Sequence, residues 1–207
     1  MRDRSPDKEM ISYEDIKSTS GKGTPEIHLL TMFLYGYKPI LNTVVEIGVA
    51  TGGSSLVWQR FLSPDGILIG VDINLCDPKQ FLYGEMEKTI EKFKNDKRVN
   101  FIIADSRAPE TLLEVKRLLD GRPVDFLYID GEHSYEGAKR DYEIYSPLVQ
   151  SGGIIAFHDA TCNRNVSKAI DDIVNIYYLK EKNLPFTYIL RFDAKSGHCG
   201  IIALVKE

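Results

Sequence analysis

From Thr43 onward the chain alternates short β-branched apolar runs with segments whose apolar residues recur at helical spacing. That alternation marks βα units feeding a mainly parallel sheet. It predicts strands over 43–48, 67–71, 99–103, 124–129 and 153–157, with helices near 54–62, 79–94, 109–120 and 135–149 between them. A further helix over 165–181 sets Val166, Ala169, Ile170, Ile173 and Tyr177 on one face. Upstream, Thr24, Pro25 and Glu26 have the cap, first-turn proline and early acid of a helix start. Ile27, Leu30, Phe33 and Leu34 form that helix's apolar face, and Gly36 and Pro39 stop it. The last two runs, Phe186 to Phe192 and Cys199 to Val205, joined through 193–197, read as an antiparallel hairpin. The expected fold class is α/β, a doubly wound sheet with a terminal antiparallel pair.

Residues 1–23 are polar and lack a stable period, so a flexible arm is expected ahead of a single domain over 24–207, with at most a short turn around Tyr13 to Lys17. A length of 207 residues at 43% hydrophobic content suits one substantial core, and no apolar run is long enough to span a membrane. The formal net charge of −4 offers no global attraction to phosphate backbones, so nucleic acid and membrane surfaces are not expected partners. Cys76, Cys162 and Cys199 are odd in number, widely spaced and without a CxxC pair. They argue against a disulfide framework or a structural zinc site, and simple burial is their expected state. With a charged start from Arg2 to Glu9 and no apolar leader, a cytoplasmic location is the default.

In open α/β sheets ligands bind beyond the carboxyl ends of the strands, so the residues just after each strand carry the chemistry. The first junction reads VVEIGVATGGSSLVW from Val44 to Trp58. Gly48, Gly52 and Gly53 permit close backbone approach to a ligand, in a GxxxGG spacing that differs from the dinucleotide fingerprint. Glu46 would repel a pyrophosphate but suits a ligand bearing an amine or sulfonium. The second junction ends in Asp72, placed for ribose hydroxyls, and the third in Asp105 and Ser106, placed for an adenine edge; each acid alone also fits a helix cap or a solvated loop. The fourth and fifth end in Asp130-Gly131 and His158-Asp159, with His133 three residues past Asp130.

The segments EIGVATGGSS, GVDIN, ADS and FLYIDGEHSYEG, followed by GGIIAFHD, resemble a class I S-adenosylmethionine-dependent methyltransferase. The branch is that of small, often metal-dependent O-methyltransferases and proteins named after cephalosporin hydroxylase. The resemblance covers roughly residues 24–205 and implies a Rossmann-like seven-stranded sheet in the order 3-2-1-4-5-7-6. It implies S-adenosyl-L-methionine as cofactor, bound by Glu46, Gly48, Thr51, Gly52, Gly53, Ser54, Asp72, Ile73, Asp105, Ser106 and Asp130. At the reacting end it implies cation ligands at Asp130, His158 and Asp159, and a proton acceptor at His133 beside Asp130. Related enzymes carry carboxylates or amides where His158 stands. Oxygen ligands suit Mg²⁺, whereas an imidazole also admits Mn²⁺ or Zn²⁺.

The expected reaction is methyl transfer to a hydroxyl of a small molecule, whether sugar, polyketide or phenolic, with His133 taking its proton. Loops over the strand ends, with Trp58, Phe81, Tyr83 and Tyr135 as candidate wall aromatics, would choose the acceptor, and the apolar first helix suits a homodimer. The rivals are a nucleotide-binding oxidoreductase, against which Glu46 and the glycine spacing stand, a binding module without catalysis, and an iron hydroxylase.

Overall fold

The computed structural model describes residues 12, 14, 16, 25–74, 76–77, 82–83, 86–180, 186–192 and 199–207, of which 76–77, 82–83, 176–180 and 188–189 are described by backbone alone. The chain starts with helix α1 (Pro25–Tyr37) and then alternates β1 (Leu41–Ile47), α2 (Gly53–Gln59), β2 (Leu62–Asp72), the two-residue strands β3 (Cys76–Asp77) and β4 (Leu82–Tyr83), and α3 (Met86–Phe93). It continues through β5 (Val99–Ile103), α4 (Pro109–Leu119), β6 (Val124–Ile129), α5 (Tyr135–Tyr145), β7 (Val149–Phe157), α6 (Arg164–Lys180), β8 (Phe186–Phe192) and β9 (Ile201–Lys206). Seven strands form one sheet in the order β5-β2-β1-β6-β7-β9-β8, and β3 pairs with β4 apart from it. Counted along the main sheet, this is the expected order 3-2-1-4-5-7-6. β9 lies antiparallel between β7 and β8, and the β1, β2, β5, β6 and β7 contacts are parallel.

Side chains alternate across the sheet with period 2, so each strand feeds two apolar layers. Val45, Ile47, Leu127, Ile129, Ile155 and Phe157 pack against α4, α5 and α6. Val44, Phe126, Tyr128, Ile154 and Ala156 pack against α1 and α2, where Ile27, Leu30, Leu34, Val57 and Trp58 are buried. By the same parity Glu46 and His158 face the α1 side. Trp58 is fully buried against Phe126 and Tyr128, a core residue and not a wall of an open pocket.

Several boundaries differ from the sequence expectation for local reasons. β2 begins at Leu62 because a bulge accommodates residues 63–66 between the Leu41–Leu62 and Thr43–Ile67 pairs. β7 begins at Val149 through a similar irregularity, where Gly152 has a positive φ of 72°. α5 ends at Tyr145 because Pro147 has no N–H with which to continue the helical ladder, and a 3₁₀ turn, Ser146–Leu148, follows. α3 starts at Met86, after the β3–β4 ladder. Of the expected arm, residues 12, 14 and 16 are described, 14 and 16 as helical, with Ile16 N donating to Ser12 O at 3.2 Å and Ile16 buried in the α1-side layer; the Thr24 cap, the hairpin turn at 193–197 and the Phe81 and Tyr83 side chains lie outside the described residues.

The expectation for the cysteines is overturned. Cys162 and Cys199 form a disulfide, 37 residues apart in sequence. They are brought together because the loop after β7 runs beside the start of β9: Ala160 N donates to Gly200 O at 2.9 Å and Gly200 N to Thr161 Oγ1 at 2.7 Å. No helix among the described residues is long and apolar enough to cross a membrane.

Candidate active site

The parallel strands β5, β2, β1, β6 and β7 bring their carboxyl ends to one edge of the sheet. At its centre, Gly48 N donates to Val71 O at 2.8 Å and Asp130 N to Ile47 O at 2.7 Å, so the first loop is anchored on both sides. Gly48 has φ 86°, and a Cβ there would fall 2.0 Å from the Asp130 carbonyl oxygen. Only glycine fits, and the glycine-rich loop therefore lies in backbone contact with the strand end that carries Asp130. Gly52, at φ 75°, caps α2 in the left-handed region, and Gly53 opens the helix.

Glu46 is fully buried beneath this loop and accepts from the hydroxyls of both Ser54 and Ser55. Burial pushes its pKa up to about 8, against the opposing pull of the two serines. Asp72 is occupied differently. Its Oδ2 accepts from Val49 N and Ala50 N, each at 2.8 Å, and its Oδ1 from Asn74 N at 2.6 Å, so the proposed ribose acid also ties down the glycine-rich loop. Ile73 is 54% exposed beside it, an apolar side chain left facing the crevice edge. Thr51 is exposed, with its carbonyl accepting from Lys92 Nζ at 2.7 Å.

Asp105 accepts from Arg107 N and Nε, both at 2.9 Å, and from Nη2 at 3.0 Å. Those hydrogen bonds hold its carboxyl below the ordinary range. Ser106 Oγ donates to Asp141 Oδ1 at 2.6 Å, while Tyr145 Oη donates to the Ser106 carbonyl at 2.7 Å. Asp141 itself is buried, and burial raises its pKa to about 6.

At the reacting end the charged groups face one another. His133 Nε2 lies 3.3 Å from Asp130 Oδ1 and 3.1 Å from Asp159 Oδ2. His158 Nδ1 lies 3.3 Å from Asp130 Oδ1 and 3.1 Å from Asp159 Oδ1, and its Nε2 lies 3.4 Å from Glu26 Oε1. A neutral imidazole has one N–H, so either tautomer would turn a lone pair toward a carboxylate here; two ring protons satisfy both sides. Burial of the ring opposes its charge, but Asp130, Asp159 and Glu26 outweigh it and push the pKa up to about 12. The hydrogen bond to Asp130 raises the more exposed His133 as well. Burial works to raise Asp130, yet the two rings hold it below its usual value. Asp159 sits at φ 55°, a left-handed position that aspartate tolerates better than most residues.

Three donors converge closely enough to hold a cation: Asp130, His133 and Asp159 offer atoms within 4.8 Å of one another. That set of two carboxylates and one imidazole fits Mn²⁺, Fe²⁺ or Zn²⁺ better than an all-oxygen Mg²⁺ site. His158, expected among the ligands, stands behind the carboxylates, turned by strand parity toward α1. Glu26 is the residue that sequence reasoning missed. It is 2% exposed in the buried stripe of α1 with Ile27, Leu30, Thr31 and Leu34, and an acid on an apolar helix face was the available signal.

Residues 45–160, more than half of the chain and the span from the glycine-rich loop to Asp159, match the family described as Methyltransferase domain. The chain belongs to that methyltransferase family. A caffeoyl-CoA O-methyltransferase from Populus kitakamiensis is 32% identical over 162 residues, covering 76% of this chain and 63% of the relative. The curated relatives are longer, and the chain spans 51% to 63% of their length. Among solved methyltransferase structures, the O-methyltransferase from Bacillus cereus in complex with SAH superposes with a TM-score of 0.57 at 20% identity, over 95% of this chain and 82% of that one. MycE, from the mycinamycin biosynthetic pathway and bound to Mg, SAH and mycinamycin VI, superposes with a TM-score of 0.61 at 18% identity, over 98% of this chain and 54% of its own. These likenesses agree with the methyltransferase fold expected from the strand-end motifs.

Proposed function

We propose that this methyltransferase uses S-adenosyl-L-methionine to methylate a hydroxyl of a small molecule. The observation that carries the reading is the contact between Gly48 and Asp130, which sets a loop suited to the cofactor directly against the cluster of Asp130, His133 and Asp159. Glu46, Gly48, Thr51, Gly52, Gly53 and Ser54 would take the methionine end, Asp72 and Ile73 the ribose, and Asp105 and Ser106 the adenine. A cationic amine beside Glu46 favours the ionised carboxylate, so cofactor binding would draw a proton off this buried acid.

The acceptor hydroxyl would lie against Asp130 and His133, in line with the methyl–sulfur bond. As the oxygen–methyl bond forms and the sulfur–methyl bond breaks, the hydroxyl proton passes to Nε2 of the neutral His133 ring, whose new charge Asp130 and Asp159 stabilise, and S-adenosylhomocysteine leaves neutral at sulfur. The buried His158 imidazolium holds the two aspartates in place behind the reacting atoms. A second reading rests on the convergent donors: a divalent cation held by Asp130, His133 and Asp159 would supply electrostatic stabilisation of the developing alkoxide. The two readings differ in whether His133 Nε2 is free to accept the proton.

Calorimetric titration with S-adenosylmethionine and S-adenosylhomocysteine, with and without Mg²⁺, Mn²⁺ or Zn²⁺, tests the cofactor. Failure of both to bind sinks the proposal. Turnover of caffeoyl-CoA, free catechol and a glycosylated macrolide by chelator-treated protein then separates the readings, since the cation-free mechanism predicts retained activity. Exposed Leu29, Met32 and Tyr37 on α1 support the homodimer, which light scattering would test. A cytoplasmic location and a Cys162–Cys199 bridge pull in opposite directions, because reducing compartments keep thiols free. Alkylation trapping of the protein from its host decides between them.

A further inference from the structure

Glu26 is the one acid of the cluster that does not come from a strand end. It arrives from the first turn of α1, on the face of the sheet to which parity also directs Glu46, Tyr128 and His158. Its Oε1 faces His158 Nε2 at 3.4 Å, whereas its Oε2 is buried with no hydrogen-bond partner among the described residues. The Tyr128 hydroxyl is likewise buried and has no hydrogen-bond partner among the described residues. A carboxylate oxygen left unpaired in the interior is destabilising, and an apolar residue in this stripe, flanked by Ile27, Leu30 and Leu34, would pack without that cost. Packing therefore does not account for an acid at position 26, and the ring it touches is the better explanation.

We propose that Glu26 is a positioning residue of the reacting site: it grips His158 Nε2 from the α1 side so that Nδ1 addresses Oδ1 of both Asp130 and Asp159, fixing the two carboxylates against His133, which meets that same oxygen of Asp130 and Oδ2 of Asp159. The chain of contacts is continuous: Glu26 to His158 at 3.4 Å, His158 to Asp130 and Asp159 at 3.3 and 3.1 Å, and those two acids to His133 at 3.3 and 3.1 Å. An imidazole is oriented by whatever its far nitrogen binds, and partners at that remove from a reacting centre act on rate without touching substrate. The first helix thus has a part in the chemistry beyond covering the sheet. The inference deepens the proposed function and rests on it for its catalytic consequence.

The test compares Glu26→Leu, Glu26→Gln and wild type. In ligand-free protein, long-range ¹H–¹⁵N spectra of the histidine rings should show a protected Nε2–H on His158 that is lost in Glu26→Leu and kept in Glu26→Gln, whose amide oxygen still accepts. Any of the three proposed acceptors that turns over should then be methylated about 10- to 100-fold more slowly by Glu26→Leu. Cofactor affinity should stay within about twofold of wild type, and Glu26→Gln should recover most of the rate, because only orientation at the far end of the site is disturbed. A merely structural role predicts another pattern: Glu26→Leu less stable than wild type, with the turnover of its folded fraction unaffected. Should Glu26→Leu fail to fold, Glu26→Asp, which withdraws the oxygens by one methylene, carries the same expectations. An unchanged His158 spectrum in Glu26→Leu overturns the inference even if no acceptor turns over, which separates its failure from failure of the methyl-transfer reading. A lost Nε2–H with wild-type turnover, or a Glu26→Gln as slow as Glu26→Leu, overturns it too.

Discussion

The two ends of the crevice use acids in opposite ways. At the cofactor end, Asp72 and Asp105 are bound by their own loops, one by backbone N–H groups of the glycine-rich turn and the next residues, the other by Arg107. At the reacting end, Asp130 and Asp159 face each other across two imidazole rings, with Glu26 closing the back. The first arrangement shapes a cradle by fixing backbone; the second stores charge that is balanced only by mobile protons or a cation. The proposed function assigns binding to the first end and chemistry to the second, and substitutions should separate them.

The largest effect should come where the ends meet. Gly48→Ala places a methyl group against the Asp130 carbonyl at a positive φ. It should cost about 4 kcal/mol or more, seen as a large fall in thermal midpoint with loss of cofactor binding. Next, His133→Ala should lower turnover by about 10² to 10⁴-fold while S-adenosylmethionine affinity stays nearly constant. Equal losses of turnover and affinity would erase the division between the ends. Reduction of Cys162–Cys199, which closes a loop over 37 residues, should lower stability by about 2–4 kcal/mol. It should disturb the reacting end more than the cradle, since Cys162 lies three residues past Asp159; calorimetric melts with and without dithiothreitol measure this.

Glu46 gives the smallest effect and one with a definite sign in pH. Burial shifts its carboxyl from the ordinary value of 4.5 up to about 8, so folding takes up a proton between those values. Its contribution to stability should fall as pH rises from about 4.5 to 8 and then level off. Glu46→Gln should flatten that slope while weakening cofactor binding by about 1.5–3 kcal/mol, the worth of a hydrogen bond to a charged group. A slope unchanged in Glu46→Gln would show that the acid is ionised without ligand. His158 has the same sign over a higher window: its stabilisation is complete below about 6.5 and fades as pH climbs toward about 12.

The sheet was legible because its strands are bounded by sharp local signals. β5, β6 and β8 run over the residues their apolar patterns predict. β2 and β7 start earlier than predicted because bulges after Leu62 and Val149 carry Pro64, Gly66, Gly152 and Gly153, residues that read as turns. The acids at strand ends were legible for the same reason as the strands. What their side chains meet was not: Glu26 reaches His158 across 132 positions of sequence, and no local pattern announces that contact. The facing of His158 follows from strand parity, but only once the register of β7 is known. The cysteine pairing depends on the antiparallel placement of β9, which brings Gly200 beside Ala160.

That placement has a kinetic side. Until β9 inserts, β7 has an open edge from Ile154 to Phe157, whose later partners lie between Ile202 and Val205. β9 follows every other strand of the sheet in chain order, so during synthesis this edge closes after the strands before it. His158 and Asp159, at the tip of β7, would gain their bracing only when that step is complete. Folding during synthesis would then acquire the parallel strands first and the reactive geometry last, so a growing chain would be able to hold the adenosyl group before it is able to turn over.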